Sequence, residues 1–520
     1  MKNIQHIVYL MLENRSLDNV LGWLYENDTP LHFIPQNNTS AYNGLQPGFF
    51  NPDGQGGKVF VSEITTAQGQ TIPSVDPNEE FNHVQIQIAN NMQGFYIDFL
   101  SAGSSNPAEI MESFTPDSLP VINSLAKQFA VSDAYFSSIP TQTNCNRAFS
   151  LTGNSIGSYH DWPYNNERTA MVNNYWEMDV LKNAGDPYVF TENTIWNVLN
   201  NNGFSSENDW LVFYNQTWPG ISPYNGSYCF TQDLLYPTMG SQTDHFRDFS
   251  QFLSMASEGT LPVFSYLEPT WYEQKTIFGT TIGHNGSDYH PPANVACGEL
   301  FLYNLYEALM ASPKWVNTLL IINFDEHGGT YDHVTPPANV MAPWANAQDG
   351  TAPPYDYDIP FSYTQLGVRV PLLLISPLID EKTVIRSDTS VPFDHTSVMA
   401  TILNHFGIPK QQWGLGSRTA NAPTFENVIT LPPEKARTNV EIAGPLSNSC
   451  VSSIETPPSD LQWMIMHKML ARTVRQNSYS KSKFSELYKD HFSNIKTLAQ
   501  LNEKAAAILQ GLEAAGDYED

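Results

Sequence analysis

The sequence predicts an α/β fold built on an open, mostly parallel sheet. Two patterns carry that expectation: apolar runs that stop abruptly at polar, ionisable residues, and helical periodicity between those runs. Ile7–Leu12 ends at Glu13-Asn14-Arg15-Ser16, Leu319–Phe324 at Asp325-Glu326-His327-Gly328-Gly329, and Pro371–Ile375 at Ser376-Pro377. Runs of this kind suit parallel strands covered on both faces. Glu299–Met310 carries Phe301, Leu305 and Leu309 at helical spacing. Thr396–Phe406 carries Val398, Ile402 and Phe406 on one stripe, stopped by Gly407. In such sheets chemistry gathers at the carboxyl ends of the strands, where Glu13-Asn14 and Asp325-Glu326 fall.

The 520 residues suffice for a large core. Stretches rich in Asn, Gly, Pro, Tyr and Trp, notably Pro35–Gly57 and Tyr159–Tyr236, carry many aromatics and are expected to be ordered insertions. After about Ala443 the character changes, and Leu461–Arg475 and Leu501–Leu512 have helical patterns. The expected division is a catalytic unit over 1–442 and a helical extension or small cap over 443–520.

A formal charge of −28 repels phosphate backbones at long range and argues against a nucleic-acid partner. A metal ion can reverse the sign locally, so a zwitterionic or small phosphoester remains compatible. Cys145, Cys229, Cys297 and Cys450 form no CxxC pair, which argues against a zinc–thiolate site and leaves disulfides open. Ile7–Leu12 is too short for a signal-peptide core, and no run approaches a transmembrane span. The expectation is a soluble protein, cytoplasmic or secreted without a visible signal peptide.

Glu13 and Asn14 offer hard oxygen donors suited to a divalent cation, although alone the segment reads more readily as a solvated loop or helix cap. The adjacent carboxylates Asp325 and Glu326 repel unless solvated or bridged by a cation, and Gly328-Gly329 permits close backbone approach. Tyr331-Asp332-His333 adds a further carboxylate–imidazole pair. Ser137–Arg147 is a polar loop leading into a helix, where a hydroxyl can meet phosphorus while helix amides hold the phosphoryl oxygens. The competing reading is a cap by Thr143 or Asn144. His83, His290 and His395 stand in polar loops near Asp and Pro, a setting for phosphate contact or metal ligation. Aromatic groups at Trp162–Tyr164, Trp210–Tyr214 and Trp218–Tyr228 suit either choline contact or packing under long loops. No phosphate-loop fingerprint is present.

Taken together, Met11-Leu12-Glu13-Asn14-Arg15-Ser16-Leu17-Asp18-Asn19, Asp133 with Thr143-x-x-Asn146-Arg147, Asp325 through Val334, and Asp394-His395-Thr396-Ser397 resemble the ordered motifs of a bacterial phosphoesterase family. That family contains phospholipases C and an acid phosphatase. The resemblance runs from about residue 4 to 407. It implies an alkaline-phosphatase-like α/β/α sandwich in which Glu13, Asn14, Asp325 and Glu326 hold a divalent cation that also contacts the nucleophile Thr143. It further implies phosphoryl contacts by His83 and His290, and a second metal or a bracing role for Asp332, His333 and His395. Zinc is the first expectation for the ion, with calcium, magnesium or manganese also suited. The implied activity is phospholipase C on phosphatidylcholine-like lipids, with transient contact to a membrane surface. Acid phosphatase is the alternative, and an inactive phosphoester-binding relative the remote one. Two departures stand out: Cys145 replaces the proline usual before Asn-Arg, and Glu79-Glu80 precede His83.

Overall fold

The computed structural model describes residues 1–66, 70–155, 192–217, 227–235, 238–239, 242–277, 280–343, 363–447 and scattered residues between 459 and 503. Its centre is a nine-stranded sheet. In chain order the strands are β1 His6–Leu12, β2 His32–Ile34, β3 Ala130–Ser132, β4 Trp210–Tyr214, β5 Phe246–Asp248, β6 Phe264–Leu267, β7 Thr318–Phe324, β8 Leu372–Ile375 and β9 Thr383–Ile385. Their spatial order is β5-β4-β6-β1-β7-β8-β3-β9-β2. The long apolar pair lies at the middle: β1 runs parallel to β7, with Leu12 opposite Phe324. Both chains therefore leave the sheet together, and Glu13 and Asp325 emerge side by side.

β8 departs from the expected direction, running antiparallel to β7 and to β3. Its four residues are all buried. An apolar run reports cover on both faces, which is the same for either direction. Reversal has a consequence for the site: Leu372, the first residue of β8, pairs with Asn323 near the end of β7, so the chain just before β8 reaches the same edge.

Six helices matter here: α1 Leu17–Leu21, α2 Pro120–Gln128, α3 Thr143–Thr152, α4 Phe249–Glu258, α5 Ala296–Met310 and α6 His395–His405. α5 and α6 fall where the periodicity places them, within a few residues. α5 packs on α2 and α4, and α6 packs on α3, so two helix groups cover the buried strands of an α/β sandwich. Ser16 caps α1 through the Asn19 amide, and Asp394 with Ser397 forms a capping box on α6. Cys145, Cys229 and Cys297 are buried. Trp162–Tyr164 and Cys450 lie outside the described residues. So do most of Trp218–Tyr228 and, apart from isolated positions, the helical patterns over Leu461–Arg475 and Leu501–Leu512. Among the described residues no helix is long and apolar enough to cross a membrane.

Candidate active site at the carboxyl edge of the central strands

The two strand ends lock together before any side chain is considered. Asn14 sits at φ 52°, a left-handed conformation that asparagine tolerates better than most residues. Its amide donates to Asp325 Oδ1 at 3.2 Å, and the Glu13 amide donates to the Asp288 carbonyl at 2.7 Å. Gly328, at φ 57°, crosses so closely that a Cβ there would lie 2.2 Å from the Asn14 carbonyl oxygen. A Cβ on Gly329 would lie 2.5 Å from the Asn78 carbonyl oxygen. The glycine pair thus lets three segments meet.

α3 enters this junction at its N-terminus. Thr143 Oγ1 donates to Glu13 Oε2 at 3.1 Å and lies 3.3 Å from Asn14 Oδ1. One turn later, Arg147 Nε contacts Glu13 Oε1 and donates to Asp325 Oδ2 at 3.2 Å. Its second nitrogen, Nη2, donates to the Met11 and Leu12 carbonyls, and its guanidinium lies 4.6 Å from the Trp271 ring centroid. Helical spacing explains the pairing: residues i and i+4 share a face, so the hydroxyl and the guanidinium reach the same carboxylate.

Asn14 joins this group to a second one. Its Nδ2 donates to Glu79 Oε2 at 2.5 Å and lies 2.8 Å from His290 Nε2. The His290 Nδ1 meets the Pro291 carbonyl at 2.5 Å, which places its proton there and leaves Nε2 as the acceptor. Asp76, Glu79 and His290 offer ligand atoms within 4.8 Å of one another.

Electrostatics follow from burial. Glu13, Asn14, Asp325 and Glu326 are all fully buried. Burial drives the Glu13 carboxyl well above its ordinary range, with Arg147 opposing and Asp325 and Asp288 reinforcing. Burial likewise raises Glu326, and pushes Asp288 up to about 7. It pulls His290 down to about 3, so that imidazole is neutral. Glu326 Oε2 accepts from the Gly328 amide at 2.7 Å, whereas its buried Oε1 has no hydrogen-bond partner among the described residues. Glu13 and Asp325 meet one guanidinium through a single nitrogen, and Glu326 keeps a buried oxygen with no partner among the described residues. With the hard oxygens of Asn14 and Thr143 alongside, this donor set fits a divalent cation.

The other expected residues lie elsewhere. His83 does not reach the Thr143 hydroxyl: among the described residues its side chain meets Asp98, 2.6 Å from Nδ1, and it is 25% exposed. Glu79, which precedes the helix carrying His83, accepts from Asn14 Nδ2. His83 is tied to the site only indirectly, through Asp98, Gln87 and His327. Asp332 and His333 meet Asp18, with ligand atoms within 4.8 Å. Arg369 already supplies their positive charge, donating to Asp332 Oδ1 and Asp18 Oδ1 at 3.0 Å each. His395 braces the end of β7, its Nε2 3.0 Å from the Phe324 carbonyl.

Arg147, Glu79, Asp76 and Asp288 were not among the residues expected from sequence to form the site. Arg147 has a readable signal, since it follows Thr143 by one helical turn. The other three have only carboxylates beside Pro or His, a pattern too common to single out.

Residues 4–409 match the phosphoesterase family. Non-specific phospholipase C6 of Arabidopsis thaliana is 31% identical over 438 residues, covering 82% of this chain and 72% of that protein. Phospholipase C A of Mycobacterium tuberculosis is 25% identical over 443 residues, covering 78% of this chain and 74% of that protein. A solved structure of a protein in the alkaline phosphatase superfamily from Vibrio parahaemolyticus covers 69% of this chain and 82% of its own at 13% identity. Its TM-score of 0.28 is too low to argue from. By the family match and the extent of these relatives, the chain belongs to the phosphoesterase family and is a phosphoric ester hydrolase.

Proposed function

We propose that the protein is a metal-dependent phospholipase C that cleaves phosphatidylcholine-like lipids to diacylglycerol and a phosphorylated headgroup, with Thr143 as nucleophile. One observation carries this reading: a threonine hydroxyl at a helix N-terminus, held at 3.1 Å from Glu13 Oε2 inside a buried nest of carboxylates. The relatives named phospholipase C support the lipid substrate.

Glu13, Asn14, Asp325 and Glu326 would hold the divalent cation, with zinc first among the candidates. Such a cation supplies Lewis acidity, lowering the pKa of a neighbouring hydroxyl and offsetting charge on a phosphoryl group. The Thr143 contacts to Glu13 and Asn14 fix Oγ1 and give its proton an acceptor. Oγ1 forms a bond to phosphorus as the phosphorus–oxygen bond to diacylglycerol breaks, and the leaving oxygen takes up a proton. The N-terminal dipole of α3 favours the phosphoryl charge. Water then attacks phosphorus, the headgroup departs as its phosphate, and Thr143 regains its proton. Neutral His290 accepts from Asn14 and so orients the amide whose Oδ1 faces Thr143.

The test compares phosphatidylcholine with p-nitrophenyl phosphate before and after chelation, in wild type and Thr143→Ala. Diacylglycerol release that disappears with either treatment and returns with zinc is the expected result. Turnover of the monoester alone would replace the lipase reading with acid phosphatase. Hydrolysis indifferent to both Thr143→Ala and chelation would remove the site. Given a charge of −28, zwitterionic vesicles should be preferred to anionic ones.

A further inference from the structure

We propose that Gln142 is a substrate contact, its side-chain Nε2 donating to an oxygen of the phosphoryl group bound at Thr143; this rests on the reading of Thr143 as nucleophile. Gln142 is fully buried, and among the described residues neither Nε2 nor Oε1 has a hydrogen-bond partner. Its neighbours along the loop are satisfied. Ser138 Oγ contacts Asp394, Thr143 Oγ1 contacts Glu13, and Asn146 Nδ2 donates to the Ile139 and Thr141 carbonyls. A buried amide with both ends unpaired is destabilising and rare in native proteins. The chain keeps one immediately before the residue that attacks phosphorus.

Local backbone sharpens the point. Gln142 is the N-cap of α3, extended at φ −74° and ψ 176°, yet its side chain makes no hydrogen bond to the helix. Ser, Thr, Asp or Asn at that position would cap the first turn and stabilise the fold. Gln142 therefore contributes nothing to the helix that a shorter polar residue would not do better. A phosphoryl oxygen satisfies Nε2, and the water that cleaves the phosphothreonine is of the right chemistry to satisfy Oε1. Each gains its partner only when substrate is bound, which is how an otherwise unfavourable group becomes useful in a site.

The variants are Gln142→Met, of similar length without the amide, and Gln142→Glu, which keeps an acceptor and loses the donor. The probe is inorganic phosphate titrated calorimetrically into metal-loaded full-length protein, with thermal midpoints recorded alongside. Gln142→Met should weaken phosphate affinity about ten-fold, the value of one lost hydrogen bond to a charged group. Its thermal midpoint should hold or rise, because an unpaired buried amide has been removed. Gln142→Glu should bind phosphate more weakly still, through charge repulsion. Unchanged phosphate affinity in Gln142→Met overturns the proposal, and so does a midpoint lowered by several degrees, which would show that the amide is structural. Thr143→Ala keeps the two readings apart. If it abolishes turnover, a failure at Gln142 counts against Gln142 alone; if turnover survives, the nucleophile reading fails first.

Discussion

Two buried clusters at the same sheet edge are made of the same residue types and do different things. Arg369 is saturated: Nε binds Asp332, Nη2 binds Asp18, and Nη1 donates to the Asn43 and Asp133 carbonyls at 2.8 and 2.9 Å. Arg147 meets Glu13 and Asp325 through Nε alone, and among the described residues neither its Nη1 nor Glu326 Oε1 has a partner. Two carboxylates and one guanidinium, with His333 on Asp18, close the first cluster. In the second, Glu13 and Asp325 share one nitrogen of one guanidinium, and Glu326, next in sequence to Asp325, keeps an unpartnered oxygen among the described residues, which leaves oxygen atoms for something else. Hydrogen-bond saturation, rather than residue identity, separates the braced cluster from the proposed site.

The largest expected effects test this contrast directly. Glu326→Gln removes charge from the unsaturated cluster and should lower turnover by about 1,000-fold or more, as loss of a principal electrostatic stabiliser does. Its urea midpoint should stay near wild type, because the buried Oε1 has no partner to lose. Arg369→Met should do the opposite. Stranding Asp18 and Asp332 without a counter-charge should cost about 3–5 kcal/mol in urea unfolding, with metal content per folded molecule unchanged. If Glu326→Gln unfolds the protein and Arg369→Met spares it, the two roles are reversed.

A smaller effect concerns pH. Burial raises Asp288 from 3.8 to about 7 in the folded protein. The folded state therefore binds the proton more tightly, and this contribution to stability is full below 3.8 and lost as pH rises through about 7. In chelator-treated protein, Asp288→Asn should gain stability over wild type across that window, by urea midpoints taken at several pH values. A gain that grows toward acid instead would contradict the sign.

Much of the open cluster was legible in the sequence, and the reason is physical. Glu13, Asn14, Asp325 and Glu326 each follow a strand too apolar to end idly in charge, and the parallel pairing of β1 with β7 brings those ends together. The direction of β8 was not legible, since four buried aliphatics satisfy either pairing. Nor were Asp76, Glu79 and Asp288, whose places depend on contacts far along the chain. Asn14 and Glu79 are 65 residues apart, and Asn14 and His290 are 276 apart. In the segment that carries His83, the side chain that reaches Asn14 is Glu79, while His83 meets Asp98.

That difference supports the finest test. His83 is partly exposed and bound to Asp98, so His83→Ala leaves Thr143, Glu13 and Asn14 with every contact they have. Turnover should fall by no more than about three-fold, within the range that surface substitutions produce. Glu79→Gln keeps the shape but replaces the carboxylate on Asn14 Nδ2 with an amide, weakening a charge-assisted hydrogen bond that orients Oδ1 toward Thr143. Its turnover should fall further than that of His83→Ala, measured at equal metal loading. A larger loss in His83→Ala than in Glu79→Gln would mean that the path through Asp98, Gln87 and His327 to Glu326 matters more to the reaction than the direct contact to Asn14.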